Sequence, residues 1–160
     1  MDEVLGGWRA TGVFQIHGGI PFTPTTSNNG SDQSQSEALQ CYCGFEWLPN
    51  QVASSSVPHP SPTEWFNPAV FATPSPGTFG NIHRNTLIGP NWRDLDLSLG
   101  KTFALAEGIR IEIRADAFDA FNHPNFSQPN ASTGTGVVGG GQITSTNGAR
   151  DMQLGGRLTF

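Results

Sequence analysis

The sequence has a single lysine, Lys101, and only 13% of its 160 residues carry a charge. Eight basic residues stand against thirteen acidic ones, for a net charge of −5. A nucleic-acid footprint needs a basic face, so no nucleic-acid partner is expected. No apolar run approaches the roughly 20 residues of a membrane helix. That absence leaves a β-barrel open, because barrel strands cross a membrane with only alternate residues apolar. The opening stretch, Met1 to Gly7, lacks the basic and apolar regions of a signal peptide. An exported protein would then carry its signal upstream, and the chain is expected to be a fragment. Cysteine is scarce too. Cys41 and Cys43 form a Cys-Tyr-Cys in a polar stretch, with no further zinc ligands nearby. They read as a loop pair, free or oxidised, and a disulfide between them would close a short, strained ring.

What is abundant is turn-forming residue. Gly (20) and Pro (12) make up a fifth of the chain. Both disfavour helix, glycine through backbone entropy and proline by breaking the hydrogen-bond ladder. Four segments alternate with a period of two, as half-buried strands do. The first spans 7–20, with Trp8, Ala10, Gly12, Phe14 and Ile16 opposing Arg9, Thr11, Val13, Gln15 and His17. The second spans 92–105, with Leu95, Leu97, Leu99, Phe103 and Leu105 opposing Asp94, Asp96, Ser98 and Thr102. The third spans 109–121, with Ile109, Ile111, Ile113, Ala115, Ala117 and Phe121 opposing Arg110, Glu112, Arg114 and Asp116. The fourth spans 150–160, with Met152, Leu154, Leu158 and Phe160 opposing Asp151, Gln153, Arg157 and Thr159.

Ala106-Glu107-Gly108 is short enough to make the second and third segments an antiparallel hairpin. The other connections are long loops, 21–90 and 122–149. Loops of that length are uncommon in compact soluble domains. Short turns at one end and long loops at the other are the asymmetry of outer-membrane barrels. Alternation alone does not separate a barrel wall from a soluble sheet with one wet face; the loops and the chain end favour the wall.

The chain ends Gln153-Leu154-Gly155-Gly156-Arg157-Leu158-Thr159-Phe160. Gln153, Gly155, Leu158 and Phe160 resemble the C-terminal signal of bacterial outer-membrane proteins, through which the barrel-assembly machinery is thought to pair with the last strand. Further blocks occur in order along the chain. Gly7-Trp8-Arg9-Ala10-Thr11-Gly12 is followed by His17-Gly18-Gly19-Ile20-Pro21-Phe22-Thr23 and Trp65-Phe66-Asn67-Pro68-Ala69-Val70-Phe71. Next come Gly80-Asn81, Arg84-Asn85-Thr86-Leu87, Gly89-Pro90 and Asp94-Leu95-Asp96-Leu97-Ser98-Leu99. Arg114-Ala115-Asp116-Ala117-Phe118 and Phe121-Asn122-His123-Pro124-Asn125-Phe126 complete the set. Together these resemble the end of the barrel in TonB-dependent receptors of the carboxypeptidase-regulatory-domain type. The stretch 28–61 matches nothing in that pattern. Such receptors have a plug, a TonB-contacting segment and about 22 strands. Plug and contact segment are not seen here, and four strands cannot close around a plug, so transport would belong to a parent protein.

Residues that could carry chemistry do not converge in sequence. His17, His59, His83 and His123 sit in four segments without a His-Glu-x-x-His spacing, so no metal site is expected. Asp94, Asp96, Glu112 and Asp116 could be acids for hydrolysis, but Arg110 and Arg114 share the face of Glu112 and Asp116, and cross-strand ion pairing is the simpler reading. Gly134, Gly136 and 139–141 do not link a strand to a helix, which argues against a phosphate-cradling loop. Trp47 and Trp65 are scattered; Trp8 and Trp92 begin strands and fit either an aromatic girdle or ordinary packing.

The expectation is therefore all-β: about four antiparallel strands of outer-membrane barrel type, with open edges unless other chains pair them. The role expected is structural or envelope-related, without enzymatic activity or cofactor, in a TonB-dependent transporter-like protein of the bacterial outer membrane. The alternative is a subunit of an extracellular filament in which copies of the chain pair through their strand edges.

Overall fold

The computed structural model describes residues 5–26, 47–75, 78–134 and 137–160. Cys41 and Cys43, and with them the disulfide expectation, lie outside these residues. The chain divides into two compact units. One holds residues 1–18, 91–125 and 147–160, the other 19–90 and 126–146.

The first unit is a four-stranded antiparallel sheet. Its strands are β1 (Trp8–His17), β2 (Trp92–Ala106), β3 (Ile109–Phe118) and β4 (Asp151–Thr159), side by side in chain order. The fold is all-β, and the sheet does not close on itself. β2 and β3 are joined through Glu107 and Gly108, and Gly108 has a φ of +85°, which glycine adopts without steric penalty. The register shifts between Ala104 and Ala106, so Leu105 sits in an irregularity instead of continuing the apolar row.

Two strands are shorter than alternation predicts. β1 stops at His17, before Gly18-Gly19. β3 stops at Phe118, because Asp119 (φ 47°) and Asn122 (φ 52°) turn the chain in left-handed conformations. Three hydrogen bonds hold that corner, while His123 Nδ1 is buried there without a partner. Asp96 accepts from the Asp119 amide (3.1 Å), Asp119 accepts from the His123 amide (3.1 Å), and the Ala120 amide donates to the Leu95 carbonyl (2.7 Å). Just beyond it, buried Asn125 treats Arg93 as a strand neighbour. Its Oδ1 accepts from the Arg93 amide (2.9 Å) and its Nδ2 donates to the Arg93 carbonyl (2.8 Å).

The second unit shows that the predicted long loops are organised. Phe66, Val70, Phe71 and Ile82 form a core, with Phe22, Leu48, Trp65 and Leu87 packed against it. Two-residue ladders bind it: Pro21–Phe22 with Leu87–Ile88, Asn50–Gln51 with Phe71–Ala72, and the parallel pair Thr25–Thr26 with Ser132–Thr133. The Asn67 side chain accepts from the Ala69 amide (3.0 Å) and caps a 3₁₀ turn, Pro68–Val70, whose proline needs no donor. Asn81 fastens the far side by accepting from the Gln51 amide (2.8 Å) and donating to the Gln51 carbonyl (3.2 Å). A side chain at Gly80 would collide with the Leu48 carbonyl, so only glycine fits there.

Candidate functional site

The feature of the first unit with functional content is its pair of faces. The register puts Trp8, Ala10, Gly12, Phe14 and Ile16 of β1 opposite Lys101, Leu99, Leu97, Leu95 and Arg93 of β2. Leu97, Leu99, Lys101 and Phe103 in turn oppose Ala117, Ala115, Ile113 and Ile111 of β3. β4 adds Met152, Leu154, Gly156 and Leu158 to the same rows. Apart from Arg93 and Lys101 this face is apolar across all four strands, and much of it is exposed: Leu154 is 83% and Phe14 58% exposed. A water-soluble monomer rarely leaves so continuous an apolar surface bare. Lipid suits it.

Two cations lie on that face, Arg93 and Lys101. Lys101 is only 6% exposed. Its ammonium stands 5.0 Å from the Trp8 ring centre and 5.4 Å from that of Phe103, and it donates to the Gly6 carbonyl. Aromatic faces and a carbonyl keep the charge satisfied while the stem lies on apolar surface. Of the two tryptophans that begin strands, Trp8 belongs to the apolar face. Trp92 does not. It pairs with His17 on the opposite face, the two rings stacked 5.8 Å apart and 6° from parallel, so the girdle reading fails for Trp92.

The opposite face is polar. Thr11, Ser98, Asp116 and Gln153 form one row, and Arg9, Gly100, Arg114 and Gly155 the next. Arg114 Nε lies 2.7 Å from Asp116 Oδ1 and donates to Ser98 Oγ at 3.1 Å. The ion pairing expected across strands thus runs along β3, between positions two apart, with the cross-strand contact going to a serine.

The four histidines are split, His17 and His123 in the first unit, His59 and His83 in the second. Among the described residues no group of three His, Cys, Asp or Glu side chains is placed to hold a metal. In the second unit an open groove of about 560 Å³ is lined by Gln51, Ser54, Asn81, His83 and Thr86, among others.

The resembled assembly residues lie on β4. Gln153 and Gly155 face the polar side, paired with Asp116 and Arg114, while Leu158 pairs with Ile111 on the apolar side. Phe160 follows the last paired residue and is 95% exposed. β4 pairs with β3 on one edge, and β1 with β2; their other edges pair with no strand among the described residues. Counting every second residue would have found Lys101 and Arg93 on the apolar face. The roles of Asn125 and Asn81 depend on contacts distant in sequence.

Both long segments leave and rejoin the sheet at one end, since His17 pairs with Trp92 and Phe118 with Asp151. The Glu107–Gly108 turn is at the other end. That is the arrangement of a barrel wall with long loops outside and short turns on the periplasmic side. No helix of the described residues is long and apolar enough to cross a membrane, which has no bearing on crossing by strands. No curated protein and no solved structure matches the chain. A family model described as the outer membrane beta barrel domain matches residues 1–153. The match supports a place in the bacterial outer membrane and lends none to the extracellular-fibre alternative. With a lipid-suited face, a polar face and this match over nearly all of its length, the chain belongs to the outer membrane beta barrel domain family.

Proposed function

We propose that the chain supplies consecutive wall strands to a larger barrel, that of a TonB-dependent transporter-like protein, and performs no catalysis itself. The observation that carries this is the sheet: two faces of opposite chemistry, and outer strands β1 and β4 each left with an open edge. An open edge carries unpaired backbone donors and acceptors, which a bilayer does not tolerate. Strands from the remainder of a parent barrel satisfy both edges. The barrel-assembly machinery recognises β4 through Gln153, Gly155, Leu158 and Phe160. The polar face then lines the interior, and the long segments leave the wall at its extracellular end.

Two measurements test the reading. With Cys41 and Cys43 changed to Ser, single cysteines at Ser98 and at Leu99 are labelled by a water-soluble maleimide in vesicle-reconstituted protein. Residue 98 should react about tenfold faster or more, because only its face is wet; equal rates would overturn the wall. Particles isolated from outer membranes that carry the chain should have the mass of a barrel of about 22 strands. A particle of a few 17.1 kDa chains and nothing else would overturn the transporter reading.

A further inference from the structure

Charges on the polar face are sorted by level. In the rows nearest the long segments, Asp94 stands beside Gln15, Asp96 beside Val13, Asp151 beside Phe118, and Asp116 between Ser98 and Gln153. In the rows nearer the turn, Arg9, Gly100, Arg114 and Gly155 form one line, followed by Thr102, Glu112 and Arg157, then by Arg110 with Thr159. Acids therefore occupy one half, and four arginines with Glu112 the other. Like charges in neighbouring rows repel, so a face that needed only to be wet would gain by mixing them.

The line Arg9–Gly100–Arg114–Gly155 has a second peculiarity. Glycine weakens a strand and often marks close approach by a ligand or another backbone. The sheet itself does not require either glycine. Neither takes a positive φ, an added Cβ at Gly100 would meet nothing nearer than 3.8 Å, and one at Gly155 nothing within 4 Å. A cavity of about 70 Å³ lies at Gly100, lined by Arg9, Thr11, Ser98, Glu112 and Arg114. Arg114 is engaged by Asp116, whereas Arg9, Arg110 and Arg157 have no ion-pair partner among the described residues.

We propose that these rows form a docking seat for an acidic polypeptide segment, its backbone lying over Gly100 and Gly155 and its carboxylates meeting Arg9 and Arg157. The proposal rests on the polar face being the water-facing side of the wall. A polypeptide fits better than a small free anion for two reasons. Arg9 and Arg157 are on the outer strands β1 and β4, three strand spacings apart and offset by two residues, roughly 16 Å in all, which about five extended residues span. Glu112 between them also opposes a lone anion settling at the centre.

The test is fluorescence anisotropy of the full chain in detergent micelles with labelled octaglutamate, octaglutamine and octalysine. Octaglutamate should bind tightest, and the Arg9→Gln/Arg157→Gln variant should weaken it by about tenfold. Gly100→Ala/Gly155→Ala should weaken it by roughly fivefold with the circular dichroism unchanged, because the added methyls occupy the seat without straining the strands. Equal binding of octaglutamine, undiminished binding by the glycine variant, or displacement by free glutamate at the same residue concentration would each overturn the proposal. If peptide selectivity is absent while residues 98 and 99 still label differently, the seat falls and the wall stands. If the labelling contrast is absent, the wall falls and the proposal with it.

Discussion

At the scale of single residues, asparagine does work that strand pairing does elsewhere. Asn125 offers Arg93 both an acceptor and a donor while 97% buried, as its 3% exposure shows. Asn125→Ala should lower stability by about 2 kcal/mol, two hydrogen bonds of about 1 kcal/mol each, read as a fall in the denaturant midpoint. Asn125→Asp keeps the acceptor, loses the donor and should cost more than half of that. Phe66, at 3% exposure, is a ring of the second unit's core, 5.8 Å from Phe22 and 5.9 Å from Phe71 between ring centres. Phe66→Ala should cost about 3–5 kcal/mol. Limited proteolysis would show the loss as new cuts within the second unit, 19–90 and 126–146, with β1 to β4 spared.

At the scale of elements, face decides outcome. Leu97 and Val13 are on adjoining strands and comparably exposed, but Leu97 is on the apolar face and Val13 on the polar one. Leu97→Arg should destabilise the membrane-inserted protein by about 2–4 kcal/mol, whereas Val13→Arg should change it by about 1 kcal/mol or less. Urea titration of vesicle-inserted variants measures both. Similar costs at the two positions would mean that the faces do not meet different solvents. Alternation in the sequence exposed this much, because a pleated strand turns successive side chains to opposite sides whatever its neighbours are. The ends of the strands were less legible. Asp119 and Asn122 adopt left-handed φ values to make a corner held by Asp96 and Leu95, contacts that local alternation through Phe121 does not reveal.

At the scale of the molecule, the inner strands are held on both edges and the outer strands on one. Amide exchange of the isolated chain should therefore be slowest in β2 and β3, with the outward-facing amides of β1 and β4 exchanging freely. Inside a completed barrel, β1 and β4 should become as protected as β2. Continued fast exchange at β4 in outer-membrane preparations would mean that its edge is not a pairing edge.

Composition and period-two alternation by themselves determined that this protein is all-β, that its long strands have one apolar and one polar face, and that one short turn joins the middle pair. Those properties are local: they follow from backbone pleating, turn chemistry and the order of side chains along one strand. Only the tertiary structure decided the rest. It set Arg114 against Asp116 and not across the sheet, stacked Trp92 on His17, and brought Phe22, Phe66, Phe71 and Ile82 into one core within segments that read as loops. It also aligned Arg9, Gly100, Arg114 and Gly155 in a single row. Register and packing join residues far apart in the chain, and their free energy depends on which partners meet, which no short window of sequence contains.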